Sequence, residues 1–335
     1  MNKFRFYFIL SIIATVFFSC TPDSTDTVTS VPLRDYAVQF DADNKSIENY
    51  LQTHYIKFTD TNVTLATPDF ADKEFTLATI TDDKTQVSLW SFLGKTTFPQ
   101  LKVRPFYVET VEHKMYALIL REGVNAKPIN VDGVYASYKG ELLSGTVFDS
   151  STNSEQLYNL DGTSTGGGAG VIRGWSEFFP FLRSGKYTPN ADGTVSYSDY
   201  GVGVMFLPSV LGYYSSAQTG IDAYSPIIFT VKLFGVKRYD HDADGIPSYL
   251  EDLDGDNYMY SVAGYFAATG KILDDTDGDG IADFLDIDDD ADGIITKVEI
   301  KNATTGLYYD FNSIPGCDGN NTDPARKKRH LIKCL

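Results

Sequence analysis

The stretch Val171-Ile172-Arg173-Gly174-Trp175 lies near the middle of this 335-residue chain, and on both sides of it short apolar runs alternate with glycine-containing turns. The runs are Tyr116–Leu120, Val134–Tyr138, Val202–Leu207 and Ile227–Leu233. Runs of this length, bounded by turn residues, are typical of antiparallel strands. The segment from 113 to 236 is therefore predicted to be an antiparallel, β-rich domain.

Aromatic and apolar residues recur in a fixed order through this domain. The order comprises Tyr138-Lys139-Gly140, Gly145-Thr146-Val147-Phe148-Asp149-Ser150-Ser151, the stretch quoted above, Leu207-Pro208-Ser209-Val210-Leu211-Gly212-Tyr213 and Ile228-Phe229-Thr230-Val231-Lys232-Leu233. Any one of these side chains alone is better explained by an ordinary core. The ordered set, with Asp149 in it, resembles the FKBP-type (macrolide-binding) peptidyl-prolyl isomerases from Tyr116 to Val236.

The resemblance implies an α+β fold, in which an FKBP-like twisted antiparallel sheet wraps over one short helix at Gly174–Leu182. It also implies a pocket with Trp175 as its floor, Ile172 as a backbone N–H donor to a substrate carbonyl, and Asp149 as a polar wall residue. The other implied walls are Tyr138, Phe148, Val171, Tyr213 and Phe229. Proline-containing polypeptides are the implied clients, macrolide-type compounds are the implied inhibitors, and catalysis is expected to need no cofactor.

These residue types suit prolyl isomerisation. Rotation about an X-Pro amide needs no nucleophile, only a lower barrier than the ~18–20 kcal/mol that resonance creates. The twisted amide is less charge-separated than the planar one, so an apolar, dehydrated pocket favours it. The sequence therefore favours an enzyme, a peptidyl-prolyl cis/trans isomerase that assists the folding of exported or outer-membrane proteins.

Two other functions stay open at this point. The domain could be a non-catalytic module that binds proline-containing peptides in an envelope complex stiffened by calcium, or it could be a relic beside a functional calcium region.

Several departures from the family pattern bear on the choice between these functions. A polar insertion spans Lys186–Tyr200, Gly162–Gly170 lengthens the approach to Val171, and no His stands among Tyr214–Ala217, where the family often carries one. The second aromatic wall is not placed, with Tyr158 as the nearest candidate, so we expect a reshaped rim and reduced activity.

From Tyr239 onward, Asp recurs at alternate positions with Gly at fixed offsets. Residues 240–299 hold 16 Asp and 2 Glu against two Lys. Three segments place acids at positions 1, 3, 5 and 12 and Gly at position 6, which is the pattern of a calcium loop with a further backbone carbonyl ligand at position 7. The predicted ligands are Asp240, Asp242, Asp244, Ile246 and Glu251; Asp275, Asp277, Asp279, Ile281 and Asp286; and Asp288, Asp290, Asp292, Ile294 and Glu299. The three isoleucine side chains are expected to anchor the loops on a small core.

A solvated acidic face is a weaker explanation, because it would not repeat Gly at position 6 and an acid at position 12 three times. Two carboxylates about 4 Å apart repel by about 4 kcal/mol at an effective dielectric of 20, so structural calcium is expected. The spacing resembles thrombospondin type 3 and dockerin-like repeats more than paired EF-hands. A fourth run, Asp252–Asp256, is incomplete and is interpreted as a supplementary ligand set. Chelation is predicted to loosen this region while the β-rich domain stays folded.

The N-terminus has the pattern of an export signal. Lys3 and Arg5 precede the apolar run Phe6–Phe18, which is too short to cross a ~30 Å hydrocarbon core as a helix. The run ends at Phe17-Phe18-Ser19-Cys20, which resembles a bacterial lipobox. We expect a signal peptide over 1–19, a lipidated Cys20 and a flexible tether over 20–34. A conventionally cleaved or uncleaved signal with a free Cys20 is the alternative.

If Cys20 carries lipid, Cys317 and Cys334 remain, 17 positions apart. In an exported chain, two such cysteines are a candidate disulfide, with two unpaired thiols as the alternative.

The formal net charge of −17 argues against a nucleic-acid partner. A small α/β region is predicted over 35–112, with a helix-like stretch at Ser46–His54 and a β-like run at Phe75–Ile80. Calcium repeats follow over 239–300 and a tail over 301–335.

Together with the lipobox and the acidic repeats, the β-rich domain makes the whole chain resemble envelope-anchored FKBP lipoproteins of the Bacteroidetes type, some of which accompany gliding-motility machinery. The implied location is the cell envelope, attached to the outer membrane by the lipid alone and facing periplasm or medium.

Overall fold

The computed structural model describes residues 33–108, 111–154, 156–164, 167–260 and 274–334. The predicted signal peptide, the predicted lipidation site Cys20 and nearly all of the tether lie outside these ranges. Within them, no helix has both the length and the apolar character needed to cross a bilayer.

The strands in chain order are β1 (His54–Phe58), β2 (Phe75–Thr79), β3 (Gln100–Val108), β4 (Val111–Arg121), β5 (Gly133–Leu142), β6 (Val147–Ser151), β7 (Leu157–Asn159), β8 (Ala169–Gly170), β9 (Lys186–Pro189), β10 (Val195–Ser198), β11 (Gly201–Leu207) and β12 (Ile227–Lys237). The α-helices are α1 (Tyr36–Thr53), α2 (Arg173–Phe178) and α3 (Thr296–Glu299). Short 3₁₀ turns lie at Phe70–Asp72, Leu89–Phe92, Phe179–Phe181, Ser209–Leu211, Ser248–Leu250, Asp283–Leu285, Phe311–Ser313 and Arg329–Leu331.

One eight-stranded sheet forms the centre of the molecule, in the order β3-β4-β11-β12-β5-β7-β8, with β6 also paired to β5. All of its pairs are antiparallel except β7 with β8. The four strands predicted for the β-rich domain all lie in this sheet. The predicted α+β class, with a mainly antiparallel sheet that packs on one short helix, is confirmed.

Both faces of the sheet are covered, and β4 shows why its sequence is apolar without alternation. Every second residue of β4 packs into the core that contains α2, and the residues between them pack into the core that contains α1. The first set is Met115, Ala117 and Ile119, and the second is Tyr116, Leu118 and Leu120. A strand buried on both faces becomes a continuous apolar run.

The N-terminal region is larger and more integrated than predicted. Helix α1 begins at Tyr36, because the Asp35 carboxylate caps it by accepting the N–H groups of Ala37 and Val38. The predicted helix-like stretch is only the second half of α1. Strand β3 pairs with β4 along its whole length, from Gln100 opposite Ile119, so the sheet begins at residue 100 rather than at 113.

The polar insertion over 186–200 forms the exposed hairpin β9–β10. Two of its tyrosines, Tyr197 and Tyr200, pack on Phe234 with ring centroids 5.0 and 4.9 Å away. Phe234 lies toward the end of β12, whereas the predicted pocket residue Phe229 lies near its beginning. The insertion therefore packs at the end of the strand opposite to the predicted pocket.

The acidic region packs against the sheet domain through a small apolar cluster, which comprises Ile129, Val131, Met259, Ala282 and Phe284. A second cluster, Ile246, Ile300 and Ile314, holds its C-terminal part together. The expectation that all three position-7 isoleucines are buried is wrong: Ile246 is 2% exposed, but Ile281 and Ile294 are 44% and 48% exposed. Cys317 and Cys334 are joined by a disulfide.

Candidate functional site

An aromatic cluster forms between β12, β5 and α2. The Trp175 ring lies 5.3 Å from Tyr138, 5.0 Å from Tyr158 and 5.6 Å from Phe229, measured between ring centroids. Trp175 is 3% exposed, so it forms the base of the cluster. Its position follows from α2, whose first turn begins directly after Ile172 and turns Trp175 toward the sheet.

The remaining predicted pocket residues surround this base. Phe148 stands 5.5 Å from the Phe229 ring. Five residues of the set are half-buried and pack against the same core: Tyr138, Phe148, Val171, Ile172 and Tyr213. Asp149 is exposed beside them. The structure thus brings all eight predicted residues together, and it places Tyr158 as the aromatic neighbour that the sequence could not assign.

A glycine makes room for two of these rings. A Cβ atom at Gly140 would lie 2.5 Å from ring atoms of Phe148 and 2.9 Å from the Phe229 ring. Gly140 is paired with Phe229 across β5 and β12 and with Asp149 across β5 and β6. A side chain at this position would fill the space where both rings meet.

Asp149 is held in place by two donors. The Tyr138 hydroxyl donates to Asp149 Oδ2 over 2.5 Å, and the Ser150 N–H donates to Oδ1 over 2.8 Å. Burial, and then the hydrogen bond to Asp149, raise the pKa of Tyr138, so the phenol stays protonated as a donor. Burial, and then the charge of Asp149, also raise the pKa of Tyr213, so that phenol stays protonated as well.

Ile172 presents a backbone donor at the same place. It is the residue that precedes α2, so its N–H takes no part in the bonds of the helix. Among the described residues, none accepts a hydrogen bond from this N–H. A substrate carbonyl could therefore bind there, next to the aromatic rings.

Helix α1 fixes the loop that carries Tyr213. Asp43, 2% exposed on α1, accepts the N–H of Ser209 over 2.8 Å and its hydroxyl over 2.6 Å, both through Oδ2. Gln39 donates to the other carboxylate oxygen. Sequence reasoning missed this link, because it joins residues 166 positions apart.

A cavity of about 820 Å³ lies beside the aromatic cluster, between β3, α2 and the acidic region. Of the predicted pocket residues, Val171 lines it. Buried Glu177 of α2 lies in its wall, paired with Arg104 and Arg173 and accepting the Tyr258 hydroxyl over 2.8 Å. This contact ties the acidic region to the helix that carries Trp175.

In the described parts of the acidic region, the three predicted loops and the fourth run share one turn. In each, the first Asp accepts the N–H of the sixth residue; the donors are Gly245, Asn257, Gly280 and Gly293. Asn257 adopts a φ of 66°, the left-handed conformation that Gly supplies in the other loops. The run Asp252–Asp256, interpreted from the sequence as an incomplete, supplementary ligand set, therefore forms the same turn, with Asn in place of Gly at its sixth position.

The carboxylates of these loops form four clusters in which the ligand atoms lie within 4.8 Å of one another. They are Asp242, Asp244, Glu251 and Asp289; Asp252, Asp254 and Asp256; Asp275, Asp277 and Asp279; and Asp288, Asp290 and Asp292. Asp240, Asp286 and Glu299, which the sequence assigned as ligands, lie outside these groups. Asp289 was not predicted. The carbonyl ligands assigned to Ile246, Ile281 and Ile294 stay predictions.

These clusters fit a hard cation. Several carboxylate oxygens in them are buried and have no hydrogen-bond partner among the described residues: one each of Asp242, Asp244, Asp288 and Asp290, and both of Glu251 and Asp289. Burial, and then neighbouring carboxylates, raise the pKa of Glu251 to about 10. All-oxygen donor sets of this kind suit Ca²⁺.

Comparison with known proteins gives matches on two parts of the chain. The family model described as BamM C-terminal matches residues 241–324. FkpA of Escherichia coli, an FKBP-type peptidyl-prolyl cis-trans isomerase, is 29% identical over 132 residues, which are 39% of this chain and 40% of FkpA. Mip of Coxiella burnetii, a peptidyl-prolyl cis-trans isomerase, is 27% identical over 132 residues, which are 39% of this chain and 48% of Mip.

Among solved structures, a peptidyl-prolyl cis-trans isomerase from Pseudomonas syringae matches 40% of this chain and 83% of its own, at 24% identity and a TM-score of 0.29. Escherichia coli FkpA matches 37% of this chain and 48% of its own, at 26% identity and a TM-score of 0.28. The chain spans less than half the length of the curated relatives it matches. Over the matched part, it is homologous to FKBP-type peptidyl-prolyl isomerases.

Proposed function

We propose that the aromatic cluster is the active site of a peptidyl-prolyl cis/trans isomerase that acts on proline-containing polypeptides. The observation that carries this proposal is the packing of Tyr138, Tyr158 and Phe229 around a buried Trp175, with Asp149 and the Ile172 N–H at the edge. The homology to FKBP-type isomerases supports the same function.

The chemistry follows from these groups without a cofactor. The proline ring enters against Trp175, where aromatic walls exclude water from the amide. Loss of that water raises the free energy of the planar, charge-separated amide more than that of the twisted one. The barrier to rotation, ~18–20 kcal/mol in water, therefore falls.

Two polar groups orient the substrate while the bond turns. The Ile172 N–H donates to a carbonyl of the peptide. Asp149, fixed by the Tyr138 hydroxyl and the Ser150 N–H, keeps the wall polar on one side without entering the reaction as an acid or base. No proton changes place in this mechanism.

The test is a protease-coupled assay with a short X-Pro peptide and the full chain. The wild type should accelerate isomerisation, and Trp175→Ala and Asp149→Ala should both lower kcat/KM by about tenfold or more. Tyr187→Phe, at a 69% exposed position of β9, is the matched control and should behave as wild type. Circular dichroism checks that Trp175→Ala remains folded. Peptide binding without acceleration would refute the isomerase and favour a non-catalytic proline-binding module.

We propose, further, that the acidic loops hold structural calcium ions. The support is the set of clustered, buried and unpartnered carboxylate oxygens, which a divalent cation would satisfy. Asp and Glu oxygens of the loops would bind the ion, and its charge would offset the repulsion between them. The cation has no part in the isomerisation.

We also propose an exported location, with the chain attached to the outer membrane through a lipid on Cys20. The disulfide between Cys317 and Cys334 supports export, since disulfides persist in oxidising compartments. The apolar run ending at Cys20 supports the anchor. A Cys20→Ser chain should leave the membrane fraction and appear in soluble fractions. A variant that stays membrane-bound like the wild type would disprove the anchor.

A further inference from the structure

Asp289 lies inside the last acidic loop but belongs to a cluster of the first. The alternate residues Asp288, Asp290 and Asp292 converge on one another within their own loop. Asp289, which stands between two of them, faces the other way. Its carboxylate lies within 4.8 Å of ligand atoms of Asp242, Asp244 and Glu251.

Two buried members of this cluster, Asp289 and Glu251, have no protein partner for their charge. Asp289 is 1% exposed and Glu251 is 3% exposed. All four of their carboxylate oxygens lack a hydrogen-bond partner among the described residues, and so does one oxygen each of Asp242 and Asp244. Burying an unpaired carboxylate is costly, and buried polar atoms without partners are rare in native proteins. Six such oxygens gathered at one place indicate a binding site for a positive charge.

The main chain fixes Asp289 in this orientation. Its N–H donates to Thr296 Oγ1 over 3.3 Å, and Thr296, fully buried at the start of α3, donates its own N–H to the Ile287 carbonyl over 2.9 Å. A second contact joins the same two loops, because Lys297 Nζ donates to the Ala243 carbonyl over 2.8 Å. The two loops are therefore already held side by side.

We infer that Asp289 is a ligand of a single divalent cation that it shares with Asp242, Asp244 and Glu251. The ion joins the first loop to the last, because the site of the first loop includes one carboxylate of the last loop, whose own cluster of Asp288, Asp290 and Asp292 stays separate. Calcium suits the cluster better than magnesium, since Mg²⁺ usually keeps several waters and takes one or two carboxylates, whereas Ca²⁺ accepts six to eight oxygens. This inference rests on the proposed calcium binding and is independent of the isomerase activity.

The test is a calorimetric titration of the cation-depleted full chain with CaCl₂. Asp289→Asn should lose one binding event or weaken it by about tenfold or more, since affinity follows the number of charged ligands. The matched control is Asp310→Asn, which changes an exposed carboxylate that makes no capping hydrogen bond, and it should bind as wild type. Wild-type stoichiometry and affinity in Asp289→Asn would overturn the inference. If the wild type binds no calcium, the calcium proposal itself is wrong.

A second measurement on the wild type decides the matter if Asp289→Asn does not fold. Hydrogen exchange is followed while calcium is added. A shared ion should protect the Asp289 amide, which donates to Thr296, with the same midpoint as the amides of 242–251, whereas protection of the two at different calcium concentrations would contradict a shared site.

Discussion

Gly140 shows how a missing side chain can shape a pocket. Its position on β5 brings the backbone against the edges of Phe148 and Phe229, so that any Cβ would overlap ring atoms. The Phe148 ring is half-buried and can turn away, whereas the Phe229 ring is packed in the core. The cost of a larger residue should therefore fall on the shape of the pocket more than on the stability of the sheet.

Gly140→Ala should displace Phe148 and lower kcat/KM for a prolyl peptide by about tenfold, with a loss of unfolding free energy of about 1–2 kcal/mol. Isomerase assays and urea unfolding measure the two effects. Gly235→Ala, on β12, is the control, because the atoms nearest to its Cβ belong to the side chain of Tyr135, the first at 3.2 Å. Equal activity in Gly140→Ala and wild type would show that Phe148 is not a wall of the site.

The residues predicted for the pocket lie together in the structure, whereas the carboxylate clusters include Asp289, which was not predicted. The pocket residues follow one another in an order that resembles a known family, and the strands bring them together. Asp289 carries no such signal, because it contributes to a cluster whose other members are distant in sequence. Tyr158 was only the nearest candidate for the second aromatic wall. The acidic turn that ends at Asn257 looked incomplete from the spacing of Asp and Gly, since Asn supplies the backbone conformation that Gly supplies in the other turns.

Helix α1 and the loop after β11 behave as one unit. Asp43 joins them through a buried carboxylate that satisfies both the N–H and the hydroxyl of Ser209. Tyr213, a predicted wall of the pocket, follows in the same loop. The N-terminal region therefore supports the rim of the site as well as covering the second face of the sheet.

Asp43→Ala leaves buried donors of Ser209 and Gln39 without an acceptor and should lower the unfolding free energy by about 1–3 kcal/mol. The loosened Tyr213 loop should also raise KM for the prolyl peptide. Urea unfolding and steady-state kinetics test this. Asp41→Ala, exposed on the same helix, is the control and should match wild type. If both variants have the same stability, Asp43 does not hold the loop.

Element boundaries were the weaker part of the sequence prediction, for physical reasons. Strand β3 was not predicted to join the sheet, because it is an edge strand with few buried residues and contains Pro105, so its pattern is weak. The first half of α1 was missed since its buried positions are the polar residues Gln39 and Asp43, which give no apolar periodicity, although Asp35 is a good capping residue.

The whole molecule joins two regions of different chemistry. The sheet domain is held by two apolar cores, whereas the acidic region contains small clusters and many carboxylates. The regions meet through Met259 and Phe284, and through the Tyr258 hydroxyl on Glu177. Stability of the acidic region should therefore depend on cations, and stability of the sheet should not.

Removal of calcium with a chelator should expose residues 240–299 to a broad-specificity protease while the sheet domain resists. At about 1 mM calcium and a dissociation constant of about 10⁻⁴ M, each occupied site contributes about 1.4 kcal/mol. Limited proteolysis followed by mass spectrometry locates the cuts, and added calcium should restore resistance. Cleavage of the acidic region at the same rate with and without chelator would contradict structural calcium.

The central claim is that a water-poor aromatic cluster turns a prolyl bond without acid, base or metal. NMR exchange spectroscopy on a short X-Pro peptide tests it directly, because the method observes cis and trans forms at equilibrium without a coupling protease. The uncatalysed exchange takes tens of seconds. We predict that the wild-type chain brings it below about one second and that a macrolide bound at Trp175 abolishes the effect. Exchange at the uncatalysed rate, or acceleration that persists with the macrolide bound, would contradict the account.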